Sequence, residues 1–219
     1  MPAKERQFRN LGKRDPRLIF SALLFSLTFN MDNMVIGAAY GMKKIKIGFT
    51  ANLIIAAITT IGTYLSMTLG TYISQFLPDF CANAIGAAAV VLLGLYFSLQ
   101  SIVKLTERTK PKELALKDVS DMMEYAQESD RNHNGKIDYK EAILVAVGLM
   151  VNNLGTGIAA SITKVNLPLT ILFTFILSLV TLVFGEVLGT HALGKLFGKY
   201  ASLFSGLLLI LLGIFEFFH

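Results

Sequence analysis

The sequence predicts an all-α membrane protein of six transmembrane helices, arranged as two inverted three-helix repeats. Three observations lead to this fold class. The chain is 53% hydrophobic and only 16% charged, with a mean hydropathy of +0.58, which is too apolar for an ordinary soluble domain. Its charges are confined to a few segments that leave long apolar runs between them. Finally, two stretches about 120 positions apart resemble each other.

Six apolar runs approach the roughly 20 residues that a helix needs to cross a bilayer. The predicted spans are residues 18–40, 49–74, 82–103, 141–163, 167–190 and 200–218. A basic tail, residues 1–17, precedes the first span. Its charge resembles the start of a signal peptide, but the apolar run that follows is longer than usual and contains Asp32. We therefore interpret it as a first span, with two halves at 18–103 and 141–219 around a polar linker at 104–140.

The internal repeat centres on residues 29–39 and 149–159. The aligned pairs are Asp32 with Asn152, Asn33 with Asn153, Gly37 with Gly157 and Ala39 with Ala159. Residues 44–47 align with 164–167 in the same order, and 92–94 with 211–213. An odd number of spans in each copy would insert the second copy upside down relative to the first. Chance similarity between glycine-rich apolar helices is the alternative.

The net charge of +5 is typical of residues that flank a membrane, and no basic soluble fold remains that would bind nucleic acid. Counting Lys and Arg on each side favours a cytoplasmic central linker. The single cysteine, Cys81, excludes an intrachain disulfide. No phosphate-binding glycine loop, HExxH motif or Ser–His–Asp set indicates an enzyme.

Polar side chains inside the predicted spans form a candidate transport site. An ionised carboxylate in a span costs a few kcal/mol or more, so such residues usually mark ion or proton pathways. The candidates are Asp32, Asn33, Asn152, Asn153 and Glu186. Carboxylate and carboxamide oxygens suit hard divalent cations such as Mn²⁺, Mg²⁺ or Ca²⁺. The alternative is that these groups only hydrogen-bond one another and hold helices together.

Residues 130–141 fit the twelve-residue EF-hand calcium loop at every defined position. Gly135 stands at position 6, where the turn is sharp, and Lys136 at position 7, which binds through its backbone carbonyl. Side-chain oxygens stand at positions 1, 3, 5, 9 and 12: Asp130, Asn132, Asn134, Asp138 and Glu141. Residues 117–129 would form the entering helix and span four the exiting one. The alternative is a polar turn that caps span four.

Only three of these five side chains are acids, and no second EF-hand is visible in the sequence. We therefore expect a weak Ca²⁺ site, or one completed by another copy of the chain in a homo-oligomer.

The stretch from Asp32 to Gly41, followed by Lys43-Lys44-Ile45-Lys46-Ile47, resembles the bacterial manganese efflux pump family, in particular its sporulation-membrane-protein branch. The resemblance implies a six-helix inverted-repeat transporter that exports Mn²⁺, with an aspartate in the first helix of each half. Asp32 matches the first aspartate. The second falls on Asn152, which removes a formal charge and weakens divalent binding, unless Glu186 compensates or this branch has another task.

The sequence thus predicts a divalent cation transporter, with Mn²⁺ efflux across the cell membrane of a prokaryote and possible regulation by Ca²⁺ at residues 130–141. One alternative is a calcium-sensing membrane protein or scaffold that transports nothing. Another is an exporter of a small solute. Neither alternative requires Asp32 to be ionised, whereas cation transport does.

Overall fold

The computed structural model describes residues 16–76, 78–106, 126–162, 165–190 and 193–217. Within these ranges some side chains, including that of Asn152, lie outside the described part. The helices are α1 (Pro16–Lys43), α2 (Phe49–Ser74), α3 (Asp79–Thr106), α4 (Tyr139–Ile162), α5 (Leu167–Thr190) and α6 (Leu193–Phe217). The strands are β1 (Lys46–Ile47) and β2 (Lys136–Ile137).

Helices α1, α2, α3 and α5 are long and apolar enough to cross a membrane. Helix α4 qualifies as a fifth candidate when its two parts, bent by 46°, are taken as one span, and α6 contains the shorter apolar segment Gly206–Phe215. Large apolar side chains are exposed along one face of α5, as expected of a surface that contacts lipid. The predicted all-helical membrane protein is confirmed at this level, while six spans in inverted repeats stay a prediction.

The helices begin and end close to the ends of the predicted spans, because apolar runs and the polar residues that bound them are local features. Five helices agree with the prediction to within three residues, and α6 begins at Leu193, seven residues early. Helix α5 starts after Asn166, whose Oδ1 accepts a hydrogen bond from the backbone N–H of Leu169 at 3.1 Å, a typical N-cap. Residues 126–129 of the predicted entering helix form one helical turn; the basic tail up to residue 15 and residues 117–125 lie outside the described residues.

The most extensive helix packing joins α1 to α5, α2 to α4 and α3 to α6. Each pair takes one helix from each predicted half of the chain. The core therefore forms between the halves, and each half depends on the other to bury its helix faces.

Close packing of α1 on α5 depends on glycine. A Cβ added at Gly37 would collide with the carbonyl oxygen of Leu182, and one at Gly189 with the carbonyl oxygen of Ala38. Small residues at such spacing let helix backbones approach closely in lipid, where packing and not water expulsion drives association. Since early residues of α1 meet early residues of α5, the two helices run parallel.

The other helix pairs repeat these contacts about 120 positions away. In α2–α4, a Cβ at Gly70 would collide with the carbonyl oxygen of Ile158, as one at Gly189 would with that of Ala38. In α3–α6, the Cβ-to-oxygen distances would be 2.6 Å from Gly94 to Gly206 and 2.9 Å from Gly213 to Ala87. Each contact thus has a counterpart about 120 positions away. In the counterpart, the glycine and the residue that it contacts have exchanged predicted halves.

A parallel pair of two-residue strands joins the central linker to the first inter-helix loop. Lys46 pairs with Lys136 and Ile47 with Ile137, and the N–H of Lys46 donates to the carbonyl of Gly135 at 3.0 Å. We call this side of the bundle the strand end; α1 and α5 end there, and α2 and α4 begin there. The other side is called the opposite end.

Candidate functional site

A buried polar cluster lies where α1, α2 and α5 meet. The Nδ2 atom of Asn33 donates to Asn30 Oδ1 and to Ser178 Oγ, both at 2.8 Å. Ser178 Oγ lies 3.4 Å from Thr59 Oγ1. Thr59 and Ser178 are 119 positions apart, which is the spacing of the predicted internal repeat, and they come from different predicted halves. The cluster therefore marks the point at which the halves meet.

Two amide oxygens near this point have no hydrogen-bond partner among the described residues. They are Asn33 Oδ1, on a side chain that is 1% exposed, and Asn52 Oδ1. Asn52 Nδ2 donates to the carbonyl of Leu179 at 3.0 Å, next to Ser178. Leaving such an acceptor unsatisfied costs about 1–3 kcal/mol, so these oxygens are candidates to contact a ligand or water.

Asp32 is 4% exposed and precedes Asn33 on α1. Asn153 Nδ2 on α4 donates to the carbonyl of Phe29, three residues before Asp32 on α1, at 3.1 Å. The structure thus brings Asp32, Asn33 and Asn153 to one level of the bundle. Helix α4 bends by 46° between Val151 and Asn153, so the bend falls on Asn152, the counterpart of Asp32.

Glu186 lies apart from this group. It follows Ser178 by eight residues, which is about 12 Å along α5. It is half-buried at the strand end, where its Oε2 accepts a hydrogen bond from the N–H of Ile47 at 3.4 Å. In this conformation Glu186 binds the β1 strand, and it does not join Asp32.

The sequence prediction missed several hydroxyl residues of the cluster. Thr174 Oγ1 donates to Ser26 Oγ at 3.2 Å, and Asn30 Nδ2 donates to the carbonyl of Ser26 at 2.7 Å, which joins both residues to the cluster. Ser26, Thr174 and Ser178 are at most 2% exposed and Thr59 is 5% exposed. Serine and threonine hydroxyls commonly hydrogen-bond to the backbone of their own helix. Their presence in an apolar helix therefore does not reveal whether they also contact a neighbouring helix. The four-residue spacing of Thr170, Thr174 and Ser178, which places them on one face of α5, was the available signal.

The loop at residues 130–141 folds around its two terminal acids. Asp130 accepts hydrogen bonds from the backbone N–H groups of Asn134 at 3.1 Å and Gly135 at 2.9 Å. Glu141 accepts from those of Arg131 and Asp138, both at 2.9 Å. Gly135 has φ +73°, the left-handed region that favours glycine. The Glu141–Asp138 bond is also half of a helix capping box, as the capping alternative requires.

The remaining side chains of the loop face Asp138. Its Oδ2 accepts hydrogen bonds from Asn132 Nδ2 at 2.8 Å and from Asn134 Nδ2 at 3.3 Å. Turning these amides would present their oxygens in place of their nitrogens. In the described part of the chain no three His, Cys, Asp or Glu side chains are grouped to hold a metal ion. A cation here would therefore need the neutral oxygens of Asn132, Asn134 and the Lys136 carbonyl.

The loop is attached firmly to the membrane bundle. Ile137 is 4% exposed and packs in one apolar cluster with Tyr40, Ile45 and Leu182. Through β1, the same loop reaches the hydrogen bond between Ile47 and Glu186. The loop thus contacts residues at the ends of both α1 and α5.

An apolar bundle in which at least four of the described helices are long enough to cross a membrane defines an integral membrane protein. A family model described as "Putative manganese efflux pump" matches residues 114–216. The "Probable sporulation protein YtaF" of Bacillus subtilis (strain 168) is 28% identical over 155 residues, which cover 65% of this chain and 72% of that protein. These similarities confirm the predicted resemblance to the manganese efflux pump family and its sporulation-protein branch. No solved structure matches the chain.

Proposed function

We propose that the chain exports a divalent cation, in first place Mn²⁺, across the cell membrane of a prokaryote, with the central linker in the cytoplasm. The observation that carries this proposal is the buried oxygen cluster around Asp32 and Asn33 at the contact between the two halves. Carboxylate, amide and hydroxyl oxygens are the ligands that Mn²⁺ prefers. The family description supports the choice of manganese.

We propose two inverted repeats that alternate access to this site. The reciprocal glycine contacts of α1–α5 and α2–α4 support the repeat. Because packing within each of these two pairs is far more extensive than packing between them, the rigid bodies that move would be α1 with α5 and α2 with α4. Each body contains one helix from each half, so the moving units are not the halves themselves. Binding sites at the midplane between repeats are typical of such transporters.

The site would carry a single formal charge. Asp32 supplies it, Asn152 is neutral, and Glu186 is about two turns away along α5. The unpartnered oxygens of Asn33 and Asn52 would supplement Asp32 as neutral ligands, and the bend at Asn152 would turn backbone carbonyls toward the site, as discontinuous helices do in other transporters. We therefore expect modest affinity and ready release.

Manganese flux into everted membrane vesicles or proteoliposomes tests the site. Asp32→Asn should lower flux by about tenfold or more, because it removes the only charged ligand. Asn152→Asp should lower the KM for Mn²⁺ by adding a second charge. Thr28→Val is the matched control, since the Thr28 hydroxyl is buried on α1 but bonds its own helix at Leu24. Equal flux in the parent and Asp32→Asn would refute the site.

We also propose that residues 130–141 bind Ca²⁺ and thereby regulate transport. The complete twelve-residue pattern, the buried carboxylates of Asp130 and Glu141 and the glycine with positive φ support binding. The strand pair supports regulation, because a cation that tightens the loop would also fix β1 and its bond to Glu186. With three acids and no paired loop, we expect a Kd of about 10⁻⁵–10⁻³ M.

Terbium luminescence with competition by Ca²⁺ measures this site directly. Tyr139 lies within the loop and can sensitise bound Tb³⁺, and the chain contains no Trp to interfere. Glu141→Gln should weaken Ca²⁺ binding by about tenfold or more. Glu128→Gln, an exposed acid just before the loop, is the control. If Glu141→Gln binds Ca²⁺ as the parent does, the loop only caps α4.

A further inference from the structure

A cleft of about 630 Å³ lies at the strand end, where the loop at residues 130–141 meets α4. One side of the cleft is polar and includes Arg131 and Lys140, whose side chains are both exposed. The other side is apolar and is formed by Ile143, Leu144 and Val147. The cleft therefore joins two cations near the start of α4 to an apolar surface in the next two turns of that helix.

The apolar side of the cleft continues along the outer face of α4. Ile143, Leu144 and Val147 are between 45% and 48% exposed, and Val151, two turns beyond Leu144, is 59% exposed. Residues three and four positions apart share one face of a helix. Because α4 is a candidate membrane span, we expect lipid acyl chains to cover this face.

Tyr139 indicates that the polar side of the cleft lies at the level of the lipid head groups. Its side chain is 59% exposed at the start of α4, and Lys140 Nζ lies 5.8 Å from the centre of its ring. Tyrosines at the ends of spans are typical of the interface between membrane and water. Basic side chains at this depth attract anionic lipids.

Two acids also line the cleft, but their oxygens bond to the loop itself. Asp138 Oδ2 accepts a hydrogen bond from Asn132 Nδ2 at 2.8 Å. Glu141 is 7% exposed and accepts from the backbone N–H groups of Arg131 and Asp138. The side chains of Arg131 and Lys140 are exposed, so the cleft offers cationic groups to an anionic ligand.

We propose that this cleft binds an anionic phospholipid. Its phosphate contacts Arg131 and Lys140, and its acyl chains lie along the apolar side of the cleft. A planar guanidinium can bond two phosphate oxygens at once, and an ammonium adds a point charge. A soluble phosphate would leave the apolar side uncovered, whereas a lipid covers both sides. The proposal goes beyond the proposed function and does not depend on transport.

Quenching of tryptophan fluorescence by brominated lipids measures the preference, because the chain contains no Trp. Val151→Trp places a reporter below the cleft on the same face of α4 and changes no residue that lines it. Val180→Trp, on α5 and 56% exposed, is the control reporter and is about as far from the strand end. The vesicles mix phosphatidylglycerol and phosphatidylcholine in equal amounts, with one of them brominated, and EGTA removes free Ca²⁺.

Phosphatidylglycerol should bind about tenfold more tightly than phosphatidylcholine at the Val151→Trp reporter and about equally at the Val180→Trp reporter. Arg131→Gln and Lys140→Gln should each lower the tenfold ratio by about fivefold. Lys136→Gln is the matched control, because Lys136 is exposed on the same loop but does not line the cleft. Its ratio should stay within about twofold of the parent.

A ratio near one at the Val151→Trp reporter, or a ratio that Arg131→Gln and Lys140→Gln leave unchanged, overturns the proposal. An equal loss in Lys136→Gln also overturns it, because the preference then comes from the general charge of the strand end. Phosphatidylethanolamine that binds as tightly as phosphatidylglycerol excludes a site for anionic lipid. Displacement of the lipid by glycerol phosphate shows a site for free phosphate instead. Mn²⁺ flux plays no part in the measurement, so each of these outcomes leaves the proposed function intact.

Discussion

Replacing Gly37 by alanine tests the closest contact in the bundle. An added Cβ would collide with the Leu182 carbonyl oxygen and would lie 3.0 Å from the Glu186 backbone nitrogen and 3.1 Å from the Leu182 carbonyl carbon. These neighbours are backbone atoms, so relief requires α1 and α5 to separate. Overpacking of this kind costs about 1–3 kcal/mol, partly offset by the roughly 1 kcal/mol that alanine gains over glycine in a helix.

The matched control is Gly155→Ala on α4, where an added Cβ would meet nothing within 4 Å. There only the helix propensity remains, so we expect a stability equal to the parent or higher by up to about 1 kcal/mol. The two variants should then differ by about 1–3 kcal/mol, because both gain the same propensity.

Thermal unfolding in detergent, followed by circular dichroism at 222 nm, measures this difference without needing a Trp signal, which the chain lacks. For a chain of this size 1 kcal/mol shifts Tm by about 2–4 °C. Gly37→Ala should therefore melt several degrees below Gly155→Ala. If the two variants melt together, α1 and α5 are not in backbone contact at Gly37, and the proposed rigid pairs lose their basis.

Two further predictions concern single side chains. Ser178→Ala should destabilise the protein by about 1–3 kcal/mol, because it leaves one N–H of Asn33 without its partner. The control Thr181→Val should keep the stability of the parent, since the Thr181 hydroxyl already has no partner among the described residues. The Tm values of the two variants measure this difference. Gly135→Ala should cost about 1–2 kcal/mol because of its φ of +73°. Hydrogen exchange around residue 135 should then accelerate, whereas Gly48→Ala, with φ −67° and free space around it, should leave exchange unchanged.

The helices themselves were predictable from the sequence. Hydrophobicity, the basic flanks and the polar loops are local features, so the spans at 49–74 and 167–190 agree with α2 and α5 to the residue. Only α6 departs, beginning at Leu193. The position of Asp32 inside a span and the twelve-residue loop pattern were equally readable from the sequence, because each depends on residues that are neighbours in the chain.

The site was predicted only in part. Asp32 and Asn33 were expected, and the structure places Asn153 at the same level of the bundle. It puts Glu186 with β1 instead, because Ile47 is its neighbour in space although 139 positions away. The hydroxyls of Ser26 and Thr174 were missed, because each could bond its own helix as readily as a partner, and the four-residue spacing on α5 was a weak signal beside that.

The sequence by itself determined which segments are helices, which of them are apolar enough to enter a membrane, and where charged oxygens lie along them. The tertiary structure alone decided that α1 packs on α5 and α2 on α4, and that the loop at 130–141 pairs with β1. The physical reason is that helix pairing in lipid depends on the fit of small residues such as Gly37 and Gly189. Many glycines in the chain offer that fit, and only the whole bundle shows which of them meet.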